Sequence, residues 1–146
     1  MHSAIETDII APARRYWERI RGNRAMPRRG DLDPVDIPRL LPFVMLVDVL
    51  REPLDFKFRL IGTAIQAIIA RNYVGERFSE LPHMVKGNLI WAEYEAVVSR
   101  QRPVAAILEY VGSDRYVQGV RHCLMPLSND DRAVNMILAA VEIDRR

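Results

Sequence analysis

Two segments of the chain, residues 43–50 and 134–141, are each apolar at every position except one. Strands of an antiparallel sheet with one solvated face alternate apolar and polar side chains, because successive side chains point to opposite faces. A continuous apolar run therefore predicts a strand that is covered on both faces. We expect these two segments to lie in the middle of one sheet, with a further layer packed on each side.

The other periodicities of this 146-residue sequence predict a single α+β domain. Helical patterns follow Thr7, Asp33-Pro34 and Gly62-Thr63, and a longer helix ends before Pro103. Five strands are predicted, at residues 43–50, 56–61, 104–111, 116–125 and 133–143. The order predicts a five-stranded antiparallel sheet, with Lys57 and Arg59 placing the second strand near an edge.

The first helix carries an apolar stripe that is wider than one packing seam needs. We expect one edge of the stripe, led by Trp17, to cover the outer face of the sheet. The other edge is predicted to contact the same helix of a second chain, because twofold dimers are the commonest oligomers. The candidate residues for this dimer interface are Ile9, Ala13, Tyr16, Trp17 and Ile20. The predicted division is residues 1–29, an amphipathic helix and basic linker, and residues 30–146, the sheet domain.

Charge and cysteine content restrict the expected partners and location. Residues 1–29 carry seven arginines and a balance of +4, but apolar residues interrupt the arginines, which indicates a solvated helix face rather than a nucleic-acid site. No apolar run approaches the roughly 20 residues of a membrane span, and no secretory signal is visible at the N-terminus. The single cysteine, Cys123, is typical of a reducing compartment, so a cytoplasmic protein is expected.

Several short motifs, taken in order, resemble a known family. They are Leu32-Asp33-Pro34, Leu41-Pro42, Phe58-Arg59-Leu60-Ile61-Gly62-Thr63 and Met125-Pro126-Leu127-Ser128, with Trp17 in the first helix and Gly75. Together they resemble the stand-alone PAS-like domains of alphaproteobacteria, over roughly residues 5–143. The resemblance implies a PAS fold, with the first and last strands side by side at the sheet centre and helices on one face. It also implies a sensory or interaction module that binds a small ligand between sheet and helices.

We expect the ligand pocket to be mainly apolar and to lie between the sheet and residues 63–98. A small apolar or amphipathic molecule would be oriented there by Tyr116 or His122. The candidate lining residues are Arg59, Ile65, Ile69, Leu89, Tyr110, Tyr116, Val120 and His122. For Arg59 the favoured alternative is a structural ion pair with Asp48 across the hairpin.

The sequence has no pattern that assigns a cofactor or a catalytic site. No metal-ligand spacing is present, and His122 and its neighbour Cys123 point to opposite faces of a strand. Flavin-binding relatives carry a helical Asn-Cys-Arg, which is missing, and His83 resembles a capping histidine more than the axial ligand of haem-binding relatives. The cofactor is therefore unknown. We expect a non-enzymatic module that forms a homodimer or binds a signalling protein. The alternative is a small enzyme that uses His122, Tyr116 and Glu109 as acid/base groups.

Overall fold

The computed structural model describes residues 8–108, 110 and 112–146. Its helices are α1 (Ile10–Arg21), α2 (Thr63–Gln66) and α3 (Leu89–Arg100), with short 3₁₀ helices at Arg29–Asp31, Pro34–Asp36, Leu41–Phe43 and Phe78–Glu80. Its strands are β1 (Val44–Leu50), β2 (Asp55–Ile61), β3 (Val104–Leu108), β4 (Val117–Leu127) and β5 (Met136–Arg145). Within these described residues, no helix combines the length and the apolar character needed to cross a membrane.

The five strands form one antiparallel sheet in the order β2-β1-β5-β4-β3. The predicted α+β fold is confirmed, and β1 and β5 pair side by side, with Val47 opposite Ile137. Both strands are buried along most of their length, as their continuous apolar runs require. The β2 strand lies at one edge, where its Lys57 and Arg59 reach solvent.

The two faces of the sheet are covered by different parts of the chain. On the outer face, α1 packs against β4 and β5. Trp17 is 2% exposed there, and its Nε1 donates a hydrogen bond of 2.9 Å to the Pro126 carbonyl. On the opposite face, α3 packs against β3 and β4. The side chains of α1 and of both sheet faces belong to one buried core.

Most of the wide apolar stripe on α1 is buried within the chain. Ala13, Tyr16 and Trp17 are each at most 5% exposed, so these three residues cannot form the predicted dimer seam. Tyr16 is held by residues beyond the helix: its hydroxyl accepts a hydrogen bond from the Asp33 N–H at 2.9 Å and donates one to Asp36 Oδ2 at 3.1 Å. The seam predicted for α1 therefore reduces to the partly buried Ile9 and Ile20. The predicted Thr7 cap lies outside the described residues.

Two predicted helices are shorter than expected. The helix predicted to start at Asp33-Pro34 is a capped 3₁₀ turn, in which the Asp33 side chain accepts a hydrogen bond from the Val35 N–H, followed by a second 3₁₀ turn at Leu41–Phe43. The helix after Gly62 has a single α-helical turn and then continues as turns, beginning with a bond from the Ile68 N–H to the Ile65 carbonyl. Helices this short add too few hydrogen bonds to offset the cost of nucleation, so tertiary contacts decide their form.

Candidate functional site

A cavity of about 340 Å³ lies between the sheet and the segment that connects β2 to α3. Strands β1, β2, β4 and β5 provide its floor, with Met45, Phe58, Val120 and Val141 among the lining side chains. The connecting segment and the first turn of α3 provide the opposite wall, which includes Ile65, Ile68, Ile69, Met84 and Ile90. The lining is mainly apolar, because the continuous apolar strands and the isoleucine-rich segment face each other across it.

The cavity brings together five of the eight predicted pocket residues. Ile65, Ile69, Tyr110, Val120 and His122 all line it. Val120 and His122 are two residues apart on β4, so both point to the cavity side of the sheet. His122 is 2% exposed and Val120 is 8% exposed, so the floor beneath the cavity is closed to solvent.

Arg59 lies outside the cavity lining. Its guanidinium is 3.7 Å from Asp48 Oδ2, the ion pair that the sequence analysis favoured, and its side chain is 63% exposed. The pairing of β1 with β2 shifts register at Leu46/Val47, so that Phe58 faces Val47 and Leu60 faces Leu46. Arg59 is the extra residue of this bulge, and a bulge residue is left out of the regular alternation.

Leu89 and Tyr116 also lie outside the cavity lining, at 69% and 56% exposed. Leu89 is the first residue of α3, whose buried side is formed by Trp91, Tyr94 and Val97. Tyr116 precedes β4, and the pairing of β4 with β5 shifts between Val117 and Gly119. This second bulge breaks the alternation that placed Tyr116 on the same face as His122.

Tyr94 is one of the cavity residues that the pocket prediction missed. It is 1% exposed, and its ring packs edge-on against Phe78 at 4.8 Å and against His122 at 6.3 Å. The sequence placed Tyr94 on the apolar stripe of the long helix, and only the tertiary structure brings it opposite His122. A tyrosine, with its polar hydroxyl, on an otherwise apolar stripe is the signal that could have identified it.

The cavity has a polar end where α3 and β4 meet: Tyr94 and His122 line it, and Glu93 lies next to His122 but outside the lining. Glu93 Oε1 and His122 Nε2 are 3.2 Å apart, in an orientation that does not form a hydrogen bond. The Tyr94 hydroxyl is buried and has no hydrogen-bond partner among the described residues. Burial, and secondarily the negative charge of Glu93, raise the pKa of Tyr94 well above its usual value, so this phenol stays neutral.

The rim of the cavity is tied together by Tyr110. Its hydroxyl donates a hydrogen bond of 2.6 Å to the Ile68 carbonyl and accepts one of 3.0 Å from the Asp114 N–H. A Cβ at Gly112 would overlap the Tyr110 side chain, so these two lining residues pack tightly against each other at the edge of the cavity. His83 also lines the cavity, from an exposed position beside the Tyr73 ring, 5.7 Å away between centroids.

The acid/base set of the enzymatic alternative is not assembled by the described residues. His122 lines the cavity and Tyr116 does not, while Glu109 lies outside the residues that the structure describes. Across the described part of the chain, no group of three histidine, cysteine, aspartate or glutamate side chains could hold a metal ion.

Sheet order and cavity together define an α+β domain of the kind that encloses a small site between one sheet face and its helices. A family model of the PAS domain matches residues 6–142, so the chain belongs to the PAS domain family. Members of this family are sensory and regulatory modules, and this chain is one of them. Among curated proteins, none matches the sequence significantly.

Proposed function

We propose that this PAS domain is a ligand sensor, in which a small and mainly apolar molecule occupies the cavity and a protein partner detects its presence. The observation that carries the proposal is the cavity itself, with about 340 Å³ of space between the sheet and the isoleucine-rich segment. Tightly packed interiors contain few voids larger than a water molecule, so a space of this size is typical of a binding site.

Size and lining indicate the kind of molecule that fits. At roughly 30 Å³ per water-sized group, the cavity holds on the order of ten non-hydrogen atoms. The apolar walls favour hydrocarbon or aromatic groups, since each buried CH₂ contributes about 0.8 kcal/mol. A nucleotide is too large and too polar for such a site.

The shared sheet offers a route by which occupancy could reach the surface. His122 and Val141 face each other across β4 and β5 and line the cavity. The next pair along these strands, Cys123 and Ala140, is fully buried and points to the face covered by α1. We infer that α1 and its surroundings carry the signal to a partner, which is a second copy of the chain or another signalling protein.

Native mass spectrometry of the protein purified from its own host tests the proposal. We expect a bound molecule of low mass that is released on denaturation. Ile69→Trp, which fills the cavity, should abolish the added mass while the circular dichroism spectrum is retained. The matched control is Leu89→Trp, which adds the same side chain at an exposed position outside the cavity and should keep the ligand.

Two results would contradict the ligand-sensor proposal. One is a protein that neither carries a small molecule nor binds apolar probes. The other is a ligand retained by Ile69→Trp but lost by Leu89→Trp, which would place the site elsewhere.

A further inference from the structure

The polar end of the cavity identifies the chemical class of the ligand. Most of the lining would accept a pure hydrocarbon, yet Tyr94 also lines the cavity, and its buried hydroxyl has no hydrogen-bond partner among the described residues. A buried polar group without a partner costs about 1–3 kcal/mol. A ligand that supplies the missing partner recovers this cost, and a hydrocarbon does not.

Charge at the same end determines which polar groups are accepted. Glu93 is mostly buried, with 11% of its side chain exposed, and its carboxylate lies 3.2 Å from His122 Nε2. The negative charge of Glu93 also contributes to the raised pKa of Tyr94, because it opposes a second negative charge nearby. A ligand carboxylate at this position would meet the same repulsion and would lose its hydration on entry.

We infer that the ligand is an uncharged amphiphile, an apolar body with one oxygen-bearing group such as a ketone or an alcohol, whose oxygen accepts a hydrogen bond from the Tyr94 hydroxyl. The apolar body lies against the isoleucines and the strand residues. The negative charge of Glu93, 3.2 Å from the cavity-lining His122, opposes a ligand carboxylate, so fatty and aromatic acids of the same size are rejected. This inference rests on the proposed function, because it assumes that the cavity is the ligand site.

Three probes of similar shape and size separate the possibilities: benzylacetone, a neutral ketone; butylbenzene, a hydrocarbon; and phenylbutyrate, a carboxylate. Binding is measured on the full chain from shifts of the isoleucine methyl resonances of Ile65, Ile68 and Ile69. We expect benzylacetone to bind about fivefold to tenfold more tightly than butylbenzene, as one hydrogen bond in a dry site provides. Phenylbutyrate should bind more weakly than either.

Two variants assign these preferences to named groups. Tyr94→Phe removes the hydroxyl and keeps the ring, so benzylacetone should fall to the affinity of butylbenzene while butylbenzene is unaffected. Tyr116→Phe is the matched control, because it makes the same change at an exposed tyrosine outside the cavity lining and should preserve the preference. Glu93→Gln removes the charge and should raise the affinity for phenylbutyrate several-fold.

The outcomes distinguish this inference from the proposal on which it rests. Butylbenzene binding as tightly as benzylacetone, tighter binding of phenylbutyrate, or an unchanged preference in Tyr94→Phe would overturn the inference and leave the cavity as a ligand site. No binding of any probe to the wild-type chain would overturn both.

Discussion

Two buried tyrosines have hydroxyl groups in opposite circumstances. The Tyr16 hydroxyl bonds to the Asp33 N–H and to the Asp36 carboxylate, and so connects α1 to the 3₁₀ turn at Pro34–Asp36. The Tyr94 hydroxyl has no partner in the described part of the chain. Removing the hydroxyl group should therefore change the stability of the protein differently at the two positions.

We expect Tyr16→Phe to lower the free energy of unfolding by about 1 kcal/mol, because it leaves the Asp33 N–H without its acceptor. Tyr94→Phe should leave stability unchanged or raise it by up to about 1 kcal/mol in the ligand-free protein, since the hydroxyl makes no compensating bond. Urea unfolding of both variants measures the difference. A larger loss for Tyr94→Phe than for Tyr16→Phe would contradict these hydrogen-bond assignments.

Gly62 follows β2 directly, at a point where the backbone packs closely against the segment before β1. A Cβ there would overlap the Pro42 carbonyl oxygen and lie 2.6 Å from the Leu41 carbonyl oxygen, and backbone atoms cannot easily move aside. We expect Gly62→Ala to cost about 1–3 kcal/mol by overpacking. Gly30→Ala, where no heavy atom lies within 4 Å of the added Cβ, should change stability by less than about 0.5 kcal/mol. Chemical denaturation of the two variants measures their free energies of unfolding. An equal loss of stability in Gly62→Ala and Gly30→Ala would contradict close packing at Gly62.

Residue patterns predicted part of the site and missed the rest for physical reasons. Alternation along β4 correctly placed Val120 and His122 on one face, but it failed at Tyr116, because a bulge near Gly119 shifts the register. No local pattern reveals such a bulge. Tyr94 was missed because its pairing with His122 depends on how α3 crosses the sheet, which is a tertiary property.

Among the elements, α1 has the clearest energetic role. Trp17 fills space over the outer sheet face and bonds to the Pro126 carbonyl, whereas its neighbour Glu18 is exposed and pairs with Arg21. Trp17→Ala should cost about 3–5 kcal/mol and expose apolar sheet to a hydrophobic dye. Glu18→Ala, on the same helix, should cost less than about 0.5 kcal/mol and bind no dye. Similar dye binding by both variants would show that α1 does not protect the sheet.

Element order was predictable because it depends on long apolar runs. The two runs that are apolar on both faces became the adjacent strands β1 and β5, and the charged strand became the edge strand β2. Element length was less predictable. Gly62-Thr63 starts a helix as expected, but only Thr63–Gln66 is helical, because the isoleucines that follow are positioned by the cavity rather than by helical periodicity.

At the scale of the whole molecule, Asp131 joins the segment after the first helix to the turn between β4 and β5, and its neighbour Asp130 braces that turn. Asp131 accepts hydrogen bonds from the backbone N–H groups of Ala25 and Met26, at 3.1 and 3.0 Å, and these bonds lower its pKa. Asp130 accepts bonds from the N–H groups of Ala133 and Arg132, which lower its pKa to about 2. The exit of α1 and the turn between β4 and β5 are thereby held together.

Acid should weaken this junction. A carboxyl with a lowered pKa in the folded state stabilises the protein fully above its ordinary value of 3.8 and loses that contribution as pH falls towards its folded value. We therefore expect the free energy of unfolding to fall from about pH 4 downwards. In Asp131→Asn it should already be lower at neutral pH and should fall less steeply in acid, as urea unfolding at several pH values would measure. If the free energy of unfolding of the variant fell as steeply in acid as that of the wild type, this role of Asp131 would be contradicted.

The chain's two tryptophans lie on opposite sides of the same sheet. Trp17 is bonded to Pro126 beneath α1, and Trp91 packs edge-on against Phe56 on the cavity side, with 5.0 Å between ring centroids. Indole emission responds to its immediate surroundings, so the molecule carries two built-in optical reporters. With Trp91 replaced by Phe, Trp17 is the remaining tryptophan. A change in its emission when the cavity fills would show that ligand binding on one face of the sheet alters the surroundings of Trp17 on the other face.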